Sequence, residues 1–378
     1  MSEFLTPYQM SKVLEGVIPA NRIARPNFLQ SFFADVATHD RETVNFDKEF
    51  QTKNTPAMYV APNVDAPLIA LQGYGTMEMG FAYVKEGLTS PDYEEINFRQ
   101  LGQQFGQVDI WANWVANIRK KLAITEFNFE NLFELNASNL IITGKHTASS
   151  ALHPTVVYDF RRPVATTDAQ YLAGFVSEID LSTLNGNGGV GKRAWNSTGG
   201  TKAPTPVEDI RKMVQTTLRR SSVSAVIISS NAYPYLEADI NTNYKDAADL
   251  TQIVEGRVSR IVMPVVEKYQ DLLYRRSLTF GGVTVDIYTY DAIYHTRDAN
   301  ATETKFFPNN YVAVLPDRNL GIKRYGRIMH PDAQYAPMQR YINTWKDVKT
   351  GKQESEIHCN YLMGHKDIES VVCWRVMA

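Results

Sequence analysis

The sequence predicts an α+β protein, and three observations carry that reading. A long stretch from about residue 107 has helical periodicity, the segment from Thr205 to Leu315 mixes helix and strand signals, and roughly the first hundred residues are apolar without periodicity. That first segment cannot bury itself. Its clusters at Phe28 to Phe33 and Met58 to Val60 are separated by Pro26, Pro56, Pro62 and Pro67, which fix the backbone and interrupt hydrogen-bond ladders.

After the prolines, Leu71 to Lys85 sets Gly73, Gly75 and Gly80 among Tyr74, Met77, Met79, Phe81 and Tyr83, a pattern that suits two short strands folded back as a hairpin. A lone hairpin is marginal in water. The surface it calls for is another copy of the chain, so Phe28, Phe32, Tyr74, Met77, Met79, Phe81 and Tyr83 are the expected intersubunit contacts.

Val108, Trp111, Val115, Ile118 and Leu122, continued by Phe129 and Leu132, alternate spacings of three and four. They predict one helix of roughly 28 residues, about 42 Å long. Thr125 within the register, and Trp114, Phe127 and Phe133 widening the face, favour a helix lying on a sheet over a dimeric coiled coil. Trp111, Val115, Ile118 and Leu122 are thus candidate core residues.

Past Gly144, Thr155 to Phe160 reads as a strand, and a Gly-rich loop spans Asn185 to Gly191. Thr205, Pro206 and Glu208 form a capping-box signal before a helix whose buried stripe is Ile210, Val214 and Leu218. Ala225 to Ser229 is a buried-type strand, Asn231 a candidate cap for the helix carrying Tyr235 and Leu236, and Gly281-Gly282 a turn into Val283 to Tyr290. Tyr311 to Leu315 is a further strand. In Ser370 to Ala378, Val372, Trp374 and Val376 share one face and Val371, Cys373, Arg375 and Met377 the other, so this end is expected beneath the long helix with Trp374 buried.

The chain has 378 residues, 44% of them hydrophobic, which is enough for sizeable cores and allows two domains. A formal charge of -2 with interspersed signs leaves no footprint for wrapping nucleic acid. Arg119, Lys120 and Lys121 are the densest basic run and read as a solvated face. The two cysteines, Cys359 and Cys373, favour a reducing compartment. MSEFLTPYQM lacks the features of a signal peptide, and no run reaches the ~18 apolar residues of a membrane span, so a soluble protein made in the cytoplasm is expected.

Candidate chemistry is thin. Gly186 to Lys192 (GNGGVGK) nearly matches a phosphate-binding loop, but Arg193 replaces the Ser or Thr that would hold magnesium, and glycines and a proline follow where a helix should start. His358, Cys359, His365 and Asp367 cluster without zinc-site spacing. No Ser or Cys sits in a nucleophile signature. The expectation is no enzyme, no cofactor and no metal.

Several patterns together resemble the major capsid proteins of tailed bacteriophages, of the lambda major head protein type. They are Phe28-Leu29 with Phe32-Phe33, Tyr59-Val60-Ala61-Pro62, Gly80 to Lys85, Trp195, Pro206 to Ile210, and in Asn309 to Gln334 especially Leu320-Gly321, Tyr325-Gly326 and Asp332-Ala333-Gln334. The resemblance runs over nearly the whole chain and is poorest from Val164 to Gly200.

It implies the Hong Kong 97-like capsid fold: an N-terminal arm (1–58), an extended β-hairpin loop (59–98), a peripheral domain with a long spine helix (99–204 and 346–378) and an axial domain (205–345). It implies a shell protein that assembles with itself as hexamers and pentamers into an icosahedral phage head around double-stranded DNA, contacted non-specifically. Without a charged extension ahead of the arm, a separate scaffolding protein is expected, with a portal protein and a possible decoration protein as further partners and no membrane. The virion, and the host cytoplasm during assembly, are the implied locations. The alternatives are an encapsulin-like compartment shell, by fold analogy, and a cytoplasmic nucleotide-binding enzyme resting on the defective phosphate loop.

Overall fold

A computed structural model describes residues 28–49, 74–89, 110–150, 153–160, 162, 164–165, 170, 177–183, 194–197, 204–244, 271–280, 282–297, 302–317, 319–346 and 353–378. Strands β1 (Asp35–Thr38), β2 (Thr43–Glu49), β3 (Tyr74–Gly80) and β4 (Ala82–Thr89) precede the helix α1 (Ile110–Thr143). Then come β5 (Lys145–Ser150), β6 (His153–Asp159), β7 (Val164–Ala165), β8 (Glu178–Asp180), α2 (Pro206–Leu218), β9 (Val223–Ile228) and α3 (Tyr233–Asn243). The next group is β10 (Leu272–Phe280), β11 (Val283–Tyr290), β12 (Ile293–His295), β13 (Glu303–Lys305) and β14 (Tyr311–Pro316). The chain closes with β15 (Gly321–Tyr325), β16 (Tyr341–Lys346), β17 (Gln353–His365) and β18 (Val372–Arg375).

The helix α1 has 34 residues, about 51 Å at 1.5 Å per residue. It outruns the predicted length because Ala137, Leu140 and Ile141 carry the buried stripe onward from Ile118, Leu122, Phe129 and Phe133. It stops at Gly144, whose φ of 65° is left-handed and which donates its N–H to Leu140 O at 3.0 Å. Buried Arg162 completes the cap, donating to Ile142 O at 2.9 Å and Leu140 O at 3.0 Å, a cation placed on the negative end of the helix. Trp111 and Val115, expected in the core, have side chains outside the described residues.

Two sheets carry the body. Seven strands run in the order β10-β11-β9-β14-β18-β8-β7. In the five-stranded sheet, β17 pairs antiparallel with β15, β16 and β4, and β1 adds parallel to β15. One hydrophobic cluster joins the buried face of α1 to both sheets, including Ile357 and Tyr361 of β17 and Ile227, Ala313 and Cys373 of the larger sheet. A second, including Ile210, Val226, Ile287 and Val312, lies under α2 and α3 on the far face of the larger sheet.

Several expectations are corrected. Leu71 to Lys85 is not a hairpin: β3 pairs with β2 and β4 pairs with β17, so the chain runs on past Phe81. Gly80 reads as a turn in sequence, yet its N–H donates to the Tyr158 hydroxyl at 3.0 Å, which pins it as extended backbone. The Thr205–Glu208 capping box does not form; the Asp239 carboxylate, from α3, accepts the Val207 N–H at 2.9 Å instead. Asn231 does not cap α3, since Ser229 Oγ accepts the Ala232 N–H at 3.3 Å. The C-terminal strand does meet α1 on its Val371 and Cys373 face, but it pairs inside the seven-stranded sheet between β14 and β8. Trp374 is buried on the other face, in the cluster under α2.

Candidate functional site

The arm is where the structure departs most from a coreless segment. Its 3-10 turn Leu29–Phe32 sits on α1, where Glu134 accepts the N–H groups of Leu29 at 2.9 Å and Gln30 at 3.0 Å, together with the Tyr290 hydroxyl at 2.7 Å. One and two turns earlier on the same helix face, Glu130 accepts from Gln30 Nε2 at 2.9 Å and pairs with Arg340 at 3.1 Å, and Glu126 also pairs with Arg340. The spacing i, i+4, i+8 puts all three carboxylates on one stripe. Glu126 ties α1 to Arg340, Glu134 ties it to the arm and to Tyr290, and Glu130 reaches both the arm and Arg340.

Burial pushes the Glu134 carboxyl up to about 7, opposed by its three donors and by Lys323. Lys323 is itself lowered by burial, offset by Glu130 and Glu134, and it donates to Gln30 Oε1 at 2.9 Å. Arg340 lies over the Phe129 ring at 5.3 Å, adding a cation–π contact to its ion pairs. The three glutamates were passed over in the sequence, although their four-residue spacing within an apolar helix stripe is a legible signal for buried pairing.

Downstream the arm is stitched along the sheet. Leu320 donates its N–H to Phe32 O at 2.7 Å, β1 pairs with β15, His39 N–H reaches Tyr325 O at 2.8 Å, and Asp40 meets Arg327 at 2.6 Å. The extended strand β4 is anchored through Glu86, which accepts from Asn128 of α1 at 3.0 Å and pairs with Arg297 at 2.6 Å.

Of the expected intersubunit residues, Phe28 and Met79 lie in the chain's own core at 5% and 0% exposure, because the arm and β3 dock on the same chain. Phe28 packs edge-on against Phe32 at 5.5 Å. Phe32 and Phe81 are half-buried at the rim of that core, and Tyr83 is half-buried beside His358. The side chains of Tyr74 and Met77 lie outside the described residues, as does the whole Gly186 to Lys192 loop. The core candidates Ile118, Leu122 and Trp374 are 4%, 0% and 2% exposed.

His358 and Cys359, consecutive on β17, point to opposite faces, and His365 stands edge-on to Phe33 at 5.6 Å, so these residues do not converge. Among the described residues, no three His, Cys, Asp or Glu side chains gather as a metal site. No helix among them is long and apolar enough to cross a membrane. Exposed apolar side chains include Val36 on β1 of the arm and Val157, Leu273, Ile293, Met329 and Tyr335 on the body.

Comparison with known proteins places this architecture. The structure of a prophage capsid protein from E. coli CFT073 superposes with a TM-score of 0.64 at 17% identity, covering 100% of both chains. The bacteriophage PhiM1 mature capsid is similar at a TM-score of 0.45 and 11% identity, over 91% of this chain and 86% of that one. The SrpI encapsulin of Synechococcus elongatus PCC 7942 is similar at 0.42 and 10%, over 95% and 90%. No curated protein matches the sequence.

The fold is the Hong Kong 97-like fold of capsid shells. Residues 189–376 match the family model described as phage major capsid protein E. The chain is a phage major capsid protein of the lambda head-protein type, a structural protein that assembles with itself into the icosahedral shell of the virion.

Proposed function

We propose that the chain assembles as hexamers and pentamers into a closed phage head that encloses packaged double-stranded DNA. The observation that supports this is the family match over residues 189–376, together with an arm and an extended strand attached to a two-sheet body. The ribbon of β2 and β3 forms a two-stranded sheet of its own that docks on this chain at its Met79–Gly80 end, and such a pair is marginal in water away from that cover. A neighbouring copy is the cover proposed here, with the arm (1–58) and the extended loop (59–98) making the contacts between subunits.

Assembly takes place in the host cytoplasm on a separate scaffolding protein, with a portal protein at one vertex and room for a decoration protein. DNA is contacted without sequence preference, and the net charge of -2 favours no tight binding to it. The role is structural, with no catalytic step. Many modest contacts made at once hold the shell, as multivalency requires.

Co-expression with the scaffolding protein of the same phage, followed by electron microscopy, tests the reading. Closed icosahedral particles containing scaffold are expected. Particles that fill with an enzyme cargo would mark a compartment shell instead, and a species that stays monomeric beside its scaffold would sink both.

A further inference from the structure

Four rings from four parts of the chain meet at one end of the five-stranded sheet. The His330 ring lies 5.4 Å from Tyr341 of β16 and 5.5 Å from His358 of β17, and Tyr341 and His358 are 5.9 Å apart. Tyr83 of β4 stands edge-on to His358 at 5.9 Å, with its hydroxyl 2.9 Å from His358 Nδ1. Tyr83 also takes the Met329 backbone N–H. On the other side of the ring, His358 Nε2 lies 3.3 Å from Glu356.

In the tautomer that carries its proton on Nε2, towards Glu356, a neutral His358 accepts the Tyr83 O–H at Nδ1. His330 Nδ1 accepts the Asp332 N–H at 3.2 Å and lies 3.9 Å from the Asp332 carboxylate. Lys85 lies over the Tyr83 ring at 5.7 Å and bears on His358, and Asp332 bears on Tyr341. Glu42 and Arg327 line a cavity of about 280 Å³ against Tyr83, beside Phe81, Met329 and Asn360.

The segment held there is under strain. Gln334 and Tyr335 are consecutive non-glycine residues with φ of 52° and 53°, a conformation that L side chains rarely adopt and that surrounding bonds must impose. Those bonds are Ile328 N–H to Ala336 O at 3.1 Å, Asn360 Nδ2 to Arg327 O at 2.8 Å, and Gly326 N–H to Asn360 O at 2.8 Å. The turn presents Met329 and Tyr335 at about half exposure, 48% and 51%.

We propose that Tyr83, His330, Tyr341 and His358 form a proton-operated latch that holds the turn Gly326–Arg340, with exposed Met329 and Tyr335, against the five-stranded sheet and loosens it on acidification. A proton on His358 Nδ1 takes away the acceptor of the Tyr83 hydroxyl and sets a cation facing Lys85 and His330, with Glu356 two residues along its own strand as counter-charge. That event unbalances a turn already strained at Gln334 and Tyr335, which lets the exposed pair re-aim. This goes beyond the shell role: it assigns a pH response to one surface of the subunit.

Hydrogen exchange on the full chain at about pH 7.5 and 5.5, corrected for intrinsic rates, reads the latch directly. Protection over residues 326–337 is expected to fall about tenfold on acidification, the factor that goes with one pKa unit of coupling. Protection over Tyr311–Pro316 should hold, since that strand is remote from the cluster. His358→Gln keeps an acceptor for Tyr83 and does not titrate, so it should flatten the response. An unchanged turn in the parent chain, an equal loss over Tyr311–Pro316, or the same loss in the variant would overturn the proposal.

Discussion

The backbone N–H of Leu29 donates to the carboxylate of Glu134 at 2.9 Å, a bond that joins residues 105 positions apart and fastens the arm to the middle of the long helix. Because Gln30 N–H and the Tyr290 hydroxyl share the same acceptor, Glu134→Ala strands three buried donors at once. Each unmet donor costs about 1–3 kcal/mol, so a loss of at least ~3 kcal/mol in urea unfolding is expected. A change below ~1 kcal/mol would mean the arm can leave the helix freely.

The same group sets a pH dependence. Folded, Glu134 titrates at about 7, raised from 4.5, so the folded chain holds its proton more tightly than the unfolded one in between. Its stabilisation is fully present below 4.5 and is lost as pH rises through 7, by up to about 3 kcal/mol. The lead of the parent chain over Glu134→Gln in thermal midpoint should therefore shrink from pH 5 to pH 8. A constant difference across that range would refute the assignment.

His146 works with the opposite sign. It is wholly buried, stacked on Tyr158 at 6.3 Å and edge-on to Tyr361 at 5.9 Å, and burial holds its pKa down at about 4, from 6.5. The unfolded chain takes the proton more readily, so this contribution is present above 6.5 and disappears as pH falls towards 4, by up to about 3 kcal/mol. His146→Phe keeps a ring in place without the titration. Urea midpoints of parent and variant should diverge in favour of the variant between pH 7 and pH 5; parallel curves would show that His146 does not titrate on unfolding.

Elements whose burial follows one period were legible in the sequence. The 3–4 spacing from Ile118 to Phe133 meets one apolar cluster, while Val283 to Tyr290 and Tyr311 to Leu315 run between two, and each forms as read. The longest strand escaped. In β17 the buried set includes Ser355, His358, Asn360 and His365 beside Ile357, Cys359 and Tyr361, so polar and apolar residues are enclosed alike and no period-two contrast survives. The false hairpin has a related cause: glycine marks a turn only when the chain reverses, and at Gly80 the partners of the two flanking strands come from Thr43–Glu49 and Gln353–His365, far away in sequence. Glu126, Glu130 and Glu134 hid because carboxylates in a helix are usually solvated, and their partners Arg340 and Leu29 are about 200 and 100 residues away.

Gly321 tests how closely the arm and β17 approach. A Cβ there would lie 2.3 Å from Gly364 O and 2.4 Å from the Phe33 ring, backbone on one side and a buried ring on the other. Gly321→Ala should cost at least about 1–3 kcal/mol by overpacking. Gly87 of β4 has nothing within 4 Å of such a Cβ. Gly87→Ala should be neutral or slightly stabilising, by up to about 1 kcal/mol, and equal urea midpoints for the two variants would show that the close approach is not maintained in solution.

The C-terminal strand is an interior strand of the larger sheet, so its removal should be more damaging than loss of a tail. Strand β18 pairs antiparallel with β14, Trp374 opposite Val312, and parallel with β8, Trp374 opposite Ile179. Beyond the strand, Trp195 donates its N–H to Val376 O at 2.8 Å, and Val376 donates its own to Asn310 O at 2.8 Å. Both faces are enclosed: Val371 and Cys373 against the cluster under α1, Val372, Trp374 and Val376 against the cluster under α2. Deleting residues 370–378 would part β8 and β7 from the other strands and leave an open, apolar edge on β14. It would also strip side chains worth roughly 1.5–3 kcal/mol each when fully buried, against about 5–15 kcal/mol for a whole domain. The truncated chain should aggregate instead of assembling. The milder Trp374→Ala, with a ring only 2% exposed, should lose about 3–5 kcal/mol while remaining foldable in the cold. Soluble truncated protein that still forms closed particles with scaffold, seen by electron microscopy, would show that the strand is not needed to hold the sheet together.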